Sequence, residues 1–502
     1  MSKAIFQLLK LSFISLFLLI SSLAQADIIS GVVNKYVKGK GEVARGDTQI
    51  TVSGLTKPSA HIFENGQTLL LIQSQGAQID STNTDLYGNG VGLGNDPSTV
   101  ETSPHGSVDF AGGVISQIAG RFEYAYVDAI IPGAPVGEIN LRLQAPLKNS
   151  FSDAAEANWQ VVIVPDYGID GATLNGNVSA LPWDGDVGGI VAFSATGGDI
   201  DFAGFMVDAQ AKGFRGGVES DIDLTVDDIA SVVSDGSNGE GGKGEGISGT
   251  PKYVFDGTSN DYGVNASDIG LNASQSNGGK TIRTWTAVRG VKENPSASLG
   301  GGDYGRGAAG NAGGGAGPHN SGGGGGSNAG IGGNGAQGWV GGTARYYAGY
   351  GGQSIYAGLN MGGGGGSGEA NNAAFAHGGV GGGIVLIKAE TASGIGEINV
   401  NGGAGFDDDF TPGDGAGGGG AAGTAILYFE DNAADYSQIT VNAIGGAGAE
   451  GDPDHGSGGG GGGGYVVSNV LLDRQITSTG GAGGANKGAN GLPATTGGSG
   501  LK

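Results

Sequence analysis

The chain has 502 residues, enough for about two to four domains. It carries a net charge of −24 and no cysteine, and its apolar content of 38% and aromatic content of 7% are low for a globular enzyme of this size. Disulfides, thiolate catalysis and cysteine-based zinc sites are thereby excluded, and the acidity argues against nucleic acid or an anionic membrane surface as partner.

Residues 1–26 read as a secretory signal peptide. Lys3 and Lys10 supply positive charge, and residues 11–23 are apolar but too short to span a bilayer as a helix. Ala24-Gln25-Ala26 is a small-x-small cleavage site before Asp27. Cleavage there removes two positive charges and leaves about −26 on the remainder. No second apolar stretch of about 20 residues comes after it, so no membrane insertion is expected. A lipoprotein anchor would need a cysteine at the mature N-terminus. Export without disulfides, in so acidic a chain, points to a secreted or cell-surface protein of a Gram-negative bacterium.

Residues 27–150 read as an N-terminal β-rich domain. Thr68-Leu69-Leu70-Leu71-Ile72 is a continuous apolar run, as a strand buried on both faces requires. Residues 138–143 alternate with period two, as a half-buried strand should. The one stretch with an amphipathic helical pattern is 152–159. Residues 151–218 read as a β-repeat segment, in which Gly188 and Gly189 lead into Ile190-Val191-Ala192-Phe193 as a forerunner of the pattern further on. Residues 219–300 are acidic and rich in Ser and Gly, and read as a loop or inserted subdomain.

Residues 301–502 hold 69 of the 112 glycines, in an ordered way. Glycine runs lead into short β-branched strands at 384–387, 424–429 and 465–467. Second strands lead into the same tetrad, Gly-Gly-Ala-Gly, at 402–405, 445–448 and 480–483. These tetrads stand 43 and then 35 residues apart, a spacing suited to solenoid coils with variable loops. Within 301–361, glycines recur at every third position (Gly307, Gly310, Gly313; Gly335, Gly338, Gly341), which matches the three residues per turn of a polyproline-II helix. The fold expected is all-β: β-solenoid-like or stacked-sheet repeats with glycine-rich, polyglycine-II-like loops, behind the N-terminal β-rich domain.

The acidic turns are the first candidate sites. Gly402-Gly403-Ala404-Gly405-Phe406-Asp407-Asp408-Asp409-Phe410 nearly matches the calcium nonapeptide GGxGxDxUx, but Asp409 stands where a large apolar residue belongs, and there is no tandem copy. The expectation is therefore an isolated Ca²⁺ site among Asp407, Asp408, Asp409, Asp414, Glu450, Asp452 and Asp454, since Ca²⁺ takes clustered oxygens from loops. No cofactor is required. His319, His377 and His455 each precede a glycine run and read as turn residues. Gly278-Gly279-Lys280-Thr281 resembles the end of a phosphate loop, but Ser274 stands where the first glycine belongs, and a strand-like run comes next in place of a helix. The aromatics Trp339, Tyr346, Tyr347, Tyr350 and Tyr356, set among glycines, are the candidate ligand contacts.

Three segments carry a resemblance: residues 68–88, which open Thr-Leu-Leu-Leu-Ile-Gln-Ser-Gln, Lys-Gly-Glu-Gly-Ile-Ser-Gly-Thr-Pro at 243–251, and Gly-Gly-Gly-Ile-Val-Leu-Ile-Lys-Ala-Glu at 381–390. The chain resembles the long glycine-rich, adhesin-like secreted and surface proteins of Gram-negative bacteria. The resemblance implies an exported structural or adhesive role with no catalytic residues to carry over. Multivalent contact with surface polysaccharide or other cell-surface molecules, and self-association, are the partners it suggests. From the enzyme class, the rival is a β-helical polysaccharide-degrading enzyme. It is disfavoured because Lys388 and Arg474 are the only basic residues between 380 and 485 to meet an acidic sugar. A third reading is an ice-binding module built on flat glycine-rich faces, which lacks a regular Thr-x-Thr ladder.

Overall fold

The computed structural model describes residues 26–79, 114–154, 157–218, 241–251, 254–255, 307–316, 320–336, 338–340, 343–345, 348–355, 358–369, 376–406, 414–451, 455–471, 473–485 and 497. The first strands are β1 (Asp27–Gly31), β2 (Lys35–Lys40), β3 (Gln49–Lys57), β4 (Thr68–Gln75), β5 (Ala77–Ile79), β6 (Val114–Gln117), β7 (Phe122–Ile131), β8 (Glu138–Leu143) and β9 (Asn158–Ile163). Six of them close an antiparallel barrel in the order β2-β3-β8-β7-β4-β9. The expected domain limit at 150 falls short of this barrel, because β9 is needed to join β2 to β4 and leave no open edge. The helical pattern at 152–159 is not a helix in its described part: Asn158 and Trp159 already belong to β9.

The apolar run of β4 is explained by its two neighbours. Leu69 and Leu71 point into the barrel with Val37, Val52, Leu141 and Trp159. Leu70 and Ile72 point out into a second cluster with Tyr36, Val162, Ile190 and Ile384. Both faces are covered, so neither can be polar. β8 alternates because only Leu141 and Leu143 are buried while Arg142 is exposed. Inside the barrel, a Cβ on Gly39 would lie 2.0 Å from the Trp159 ring, so only glycine leaves room for the indole.

The remaining strands are β10 (Ala172–Ser179), β11 (Ile190–Asp201), β12 (Met206–Asp208), β13 (Gly216–Gly217), β14 (Val254–Phe255), β15 (Gly338–Val340), β16 (Thr343–Arg345), β17 (Ile384–Ser393), β18 (Gly396–Asn399), β19 (Thr424–Phe429), β20 (Ile439–Asn442), β21 (Tyr465–Ser468) and β22 (Ile476–Thr477). A ten-stranded sheet runs β21-β19-β17-β11-β10-β12-β18-β20-β22, with β1 added beside β10. Every pairing in it is parallel. Ile190, Ile384, Thr424 and Tyr465 lie in one row across β11, β17, β19 and β21. Val207, Ile398, Val441 and Ile476 lie in a row across β12, β18, β20 and β22. The two arms face each other over one core, in which Val385, Ile387, Leu427 and Phe429 meet Ile398, Val400 and Val441. The described residues contain 3₁₀ turns but no α-helix, so the chain is all-β.

The glycine segments lie beside this sheet and bond to one another through the backbone. In 321–327 the amides of Gly322, Gly323 and Gly324 donate to the carbonyls of Ala336, Ala416 and Gly314. The cycle then repeats: Gly325, Gly326 and Ser327 donate to Gly333, Gly419 and Asn311. The carbonyls of the same segment accept from Gly349, Gly459 and Gly366, and then from Gly352, Gly462 and Gly363. One extended column is thus bonded to six neighbours with a period of three residues. The tetrads stack in the same way: Gly402 and Gly405 donate to Ile444 and Ala447, and Gly445 and Gly448 donate to Thr479 and Ala482. Packing this close explains the composition. A Cβ on Gly324 would lie 2.1 Å from the Tyr350 carbonyl oxygen, and one on Gly326 would lie 2.0 Å from that of Gly363.

Residues 241–250, expected within a loop, are buried in this packing. Glu245 explains why. Its carboxylate takes a bidentate pair of bonds from Arg215, at 2.8 Å from Nε and 3.0 Å from Nη2, and a further bond of 3.0 Å from the Trp183 indole. Acid and base are both almost wholly buried, a placement that holds only when both ions are fully bonded.

Candidate functional site

A groove of about 390 Å³ opens where the outer face of the barrel meets the parallel sheet. β7 contributes Tyr124 and Tyr126, which are two residues apart and so share a face, while Ala125 between them is buried. Across the groove, Ser194, Lys388 and Tyr428 form one row over β11, β17 and β19. Tyr124, Tyr126 and Tyr428 are 47%, 49% and 50% exposed, an unusual concentration of half-open aromatic surface. Phe122, Val164, Phe193 and Leu386 also line it.

Two charged groups stand among these rings. Asp166 is fixed by the amides of Thr196 (2.9 Å) and Gly168 (3.1 Å) and by the Thr196 hydroxyl (2.9 Å). Burial alone would raise its carboxyl, but these donors outweigh it and hold it below the ordinary carboxylate value. Asp166 is thus an ionised, oriented acceptor. Lys388 forms an exposed pair with Glu430 at 3.1 Å, which is weak enough to exchange for a ligand. The result is a site with flat apolar faces, a few fixed polar atoms and almost no net charge.

None of the candidate site residues singled out in the sequence is among the described residues that line the groove. Tyr350 is buried, at 5% exposure, and its carbonyl takes the amide of Gly314. Trp339 lies in β15, opposite Ala344. Tyr346, Tyr347 and Tyr356 lie outside the described residues. Of the acidic candidates, Asp407, Asp408, Asp409, Asp452 and Asp454 are also outside them, Glu450 is exposed, and Asp414 is buried. Among the described residues no group of three or more His, Asp or Glu side chains could hold a metal ion. His377 is stacked between Phe255, at 4.6 Å, and Phe406, at 6.1 Å, a packing role. The phosphate-loop fragment at 278–281 and His319 lie outside the described residues. Sequence reasoning missed Tyr124, Tyr126 and Tyr428. The alternation of Tyr124, Ala125 and Tyr126 was the one local sign, and the barrel is what brings them to Tyr428.

No protein-family model matches the chain, and no curated protein matches it. No helix among the described residues is long and apolar enough to cross a membrane.

Proposed function

We propose that this chain is an exported structural and adhesive protein that holds a neutral glycan in its tyrosine groove. The observation that carries the reading is the placement of Tyr124, Tyr126 and Tyr428, half exposed, around a groove that also offers Asp166 and Lys388. Aromatic rings accept the apolar faces of sugars, and fixed polar atoms then select hydroxyl patterns. The groove volume is in the range of small-ligand sites, enough for about one or two sugar units. A polyanion is disfavoured by the net charge of −24.

In this reading the glycine columns are a polyglycine-II-like bundle, and the facing parallel arms are coils of a β-solenoid. The period-three bonding of 321–327 and the in-register rows of the sheet support both. Such a body is rigid and gives the groove a fixed presentation on a secreted or cell-surface molecule. Surface polysaccharide is the partner, and self-association would supply multivalency. Hydrolysis is the less favoured reading, because glycosidases set two carboxyls across the bond, and Asp166 is the one carboxylate among the described lining residues.

The test is binding of the mature chain to a glycan array. Tyr124→Ala and Tyr428→Ala should each weaken retention of the best neutral glycan at least about tenfold, as central aromatic contacts do. Unchanged retention in both variants would remove the groove from the reading, and release of reducing sugar would replace it with the enzymatic one.

A further inference from the structure

A second polar site, which shares no residue with the groove, lies at a point where three segments meet within the glycine packing. Glu369 has no exposed surface. Its Oε2 accepts the amide of Asn320 at 2.5 Å, and its Oε1 has no hydrogen-bond partner. The Oδ1 atom of Asn320 is also buried without a partner. Asp414, 2% exposed, is tied to the same place, because the next amide, Gly415, donates to the Glu369 carbonyl at 2.9 Å. A Cβ on Gly415 would lie 2.9 Å from the Asn320 carbonyl carbon, so the two backbones are in contact.

Two acidic side chains and an amide oxygen therefore sit together in a nearly dry interior. An unpartnered buried carboxylate oxygen is costly, and a second acid beside it adds to the cost. Burial, with the nearby Asp414 as a lesser cause, drives the Glu369 carboxyl well above its ordinary value, against the opposing effect of the Asn320 amide. A divalent cation removes both penalties and takes up the spare oxygens.

We propose that Glu369, Asp414 and Asn320 form a site for one hard divalent cation, Ca²⁺. The donors are all oxygens, which excludes soft metals and suits Ca²⁺, with backbone carbonyls or water completing the shell. Asn320 is only partly buried and gives the ion a way in. The site pins together the columns around 321, 369 and 415, and it is independent of sugar binding in the groove.

The experiment uses the full mature chain, stripped with EGTA and then titrated with CaCl₂. Terbium luminescence tracks binding, and thermal unfolding tracks stability. The expected result is saturable binding with a Kd on the order of 10⁻⁴ M and a Tm that rises with Ca²⁺. Glu369→Gln and Asp414→Asn should each weaken binding at least about tenfold and abolish the Tm rise. Glu369→Gln removes the costly buried carboxyl and keeps its shape, so without Ca²⁺ it should unfold no earlier than the parent chain. Glu64→Gln, an exposed acid in the barrel, serves as the control and should bind like the parent. Absence of binding by the parent chain, or parental binding by both site variants, would overturn the assignment.

Discussion

Glycine is used here for its missing side chain at some positions and only incidentally at others, and the difference is measurable. Gly324 is enclosed by backbone, so Gly324→Ala forces columns apart and should cost about 1–3 kcal/mol or more. A Cβ on Gly403 would come no closer than 3.2 Å to its nearest neighbour, the Val380 carbonyl oxygen, so Gly403→Ala should cost markedly less. Urea unfolding of the two variants tests the ranking, and equal losses would refute it. Tyr36 poses a different question. Its hydroxyl donates to the Ile190 carbonyl at 2.6 Å across the join between barrel and sheet. Burial raises its ionisation far above the ordinary tyrosine value of 10, and the Leu181 amide only partly offsets this. A folded-state value above the unfolded one means that the stabilisation is intact below pH 10 and is lost as pH rises beyond it. Tyr36→Phe should therefore be less stable by about 1–3 kcal/mol at pH 7, since a buried carbonyl loses its donor. The gap should narrow steadily above pH 10. A constant gap across that alkaline range would count against the burial of this hydroxyl.

At the scale of elements, the strands were legible and their partners were not. The apolar run of β4, the alternation of β8, and the likeness of the 190–193 segment to 384–387 could all be read from residue order, because each reflects which faces are covered. Ile190-Val191-Ala192-Phe193 and Ile384-Val385-Leu386-Ile387 lie side by side, residue for residue, in the parallel pairing of β11 with β17. What residue order hides is the assignment of one glycine column to another. Glycines differ in no side chain, so nothing local says that Gly323 bonds to Ala416 or Gly324 to Gly314. The groove was hidden for a related reason: Tyr124 and Tyr428 are brought together only by closure of the barrel and stacking of the sheet. The columns carry an element-scale prediction of their own. With bonding directions that repeat every third residue, one glycine inserted into the run at 458–464 sends every later amide toward the wrong neighbour. Three inserted glycines restore the directions. By thermal unfolding the single insertion should be the more damaging of the two, although the longer loop has the greater closure entropy.

Across the whole molecule, two kinds of interior coexist. The barrel and the facing arms are held by apolar side chains, whose burial contributes about 25 cal/mol per Å² removed from water. The columns have few such groups and are held by peptide hydrogen bonds in several directions, each of modest net worth but costly to leave unmade. The second kind depends on the first, because uniform columns have no register until flanking strands such as β17, β19 and β21 supply one. The columns also differ in what they offer to chemical damage. The all-glycine runs at 322–326, 362–366 and 458–464 hold no thiol, thioether or ring for an oxidant to modify, and the groups that could react or titrate, such as Tyr350, His377 and Glu369, lie between these runs or at their ends. In surroundings without repair enzymes, that inertness would let such a body age slowly, and wear would begin at its side-chain-bearing rim.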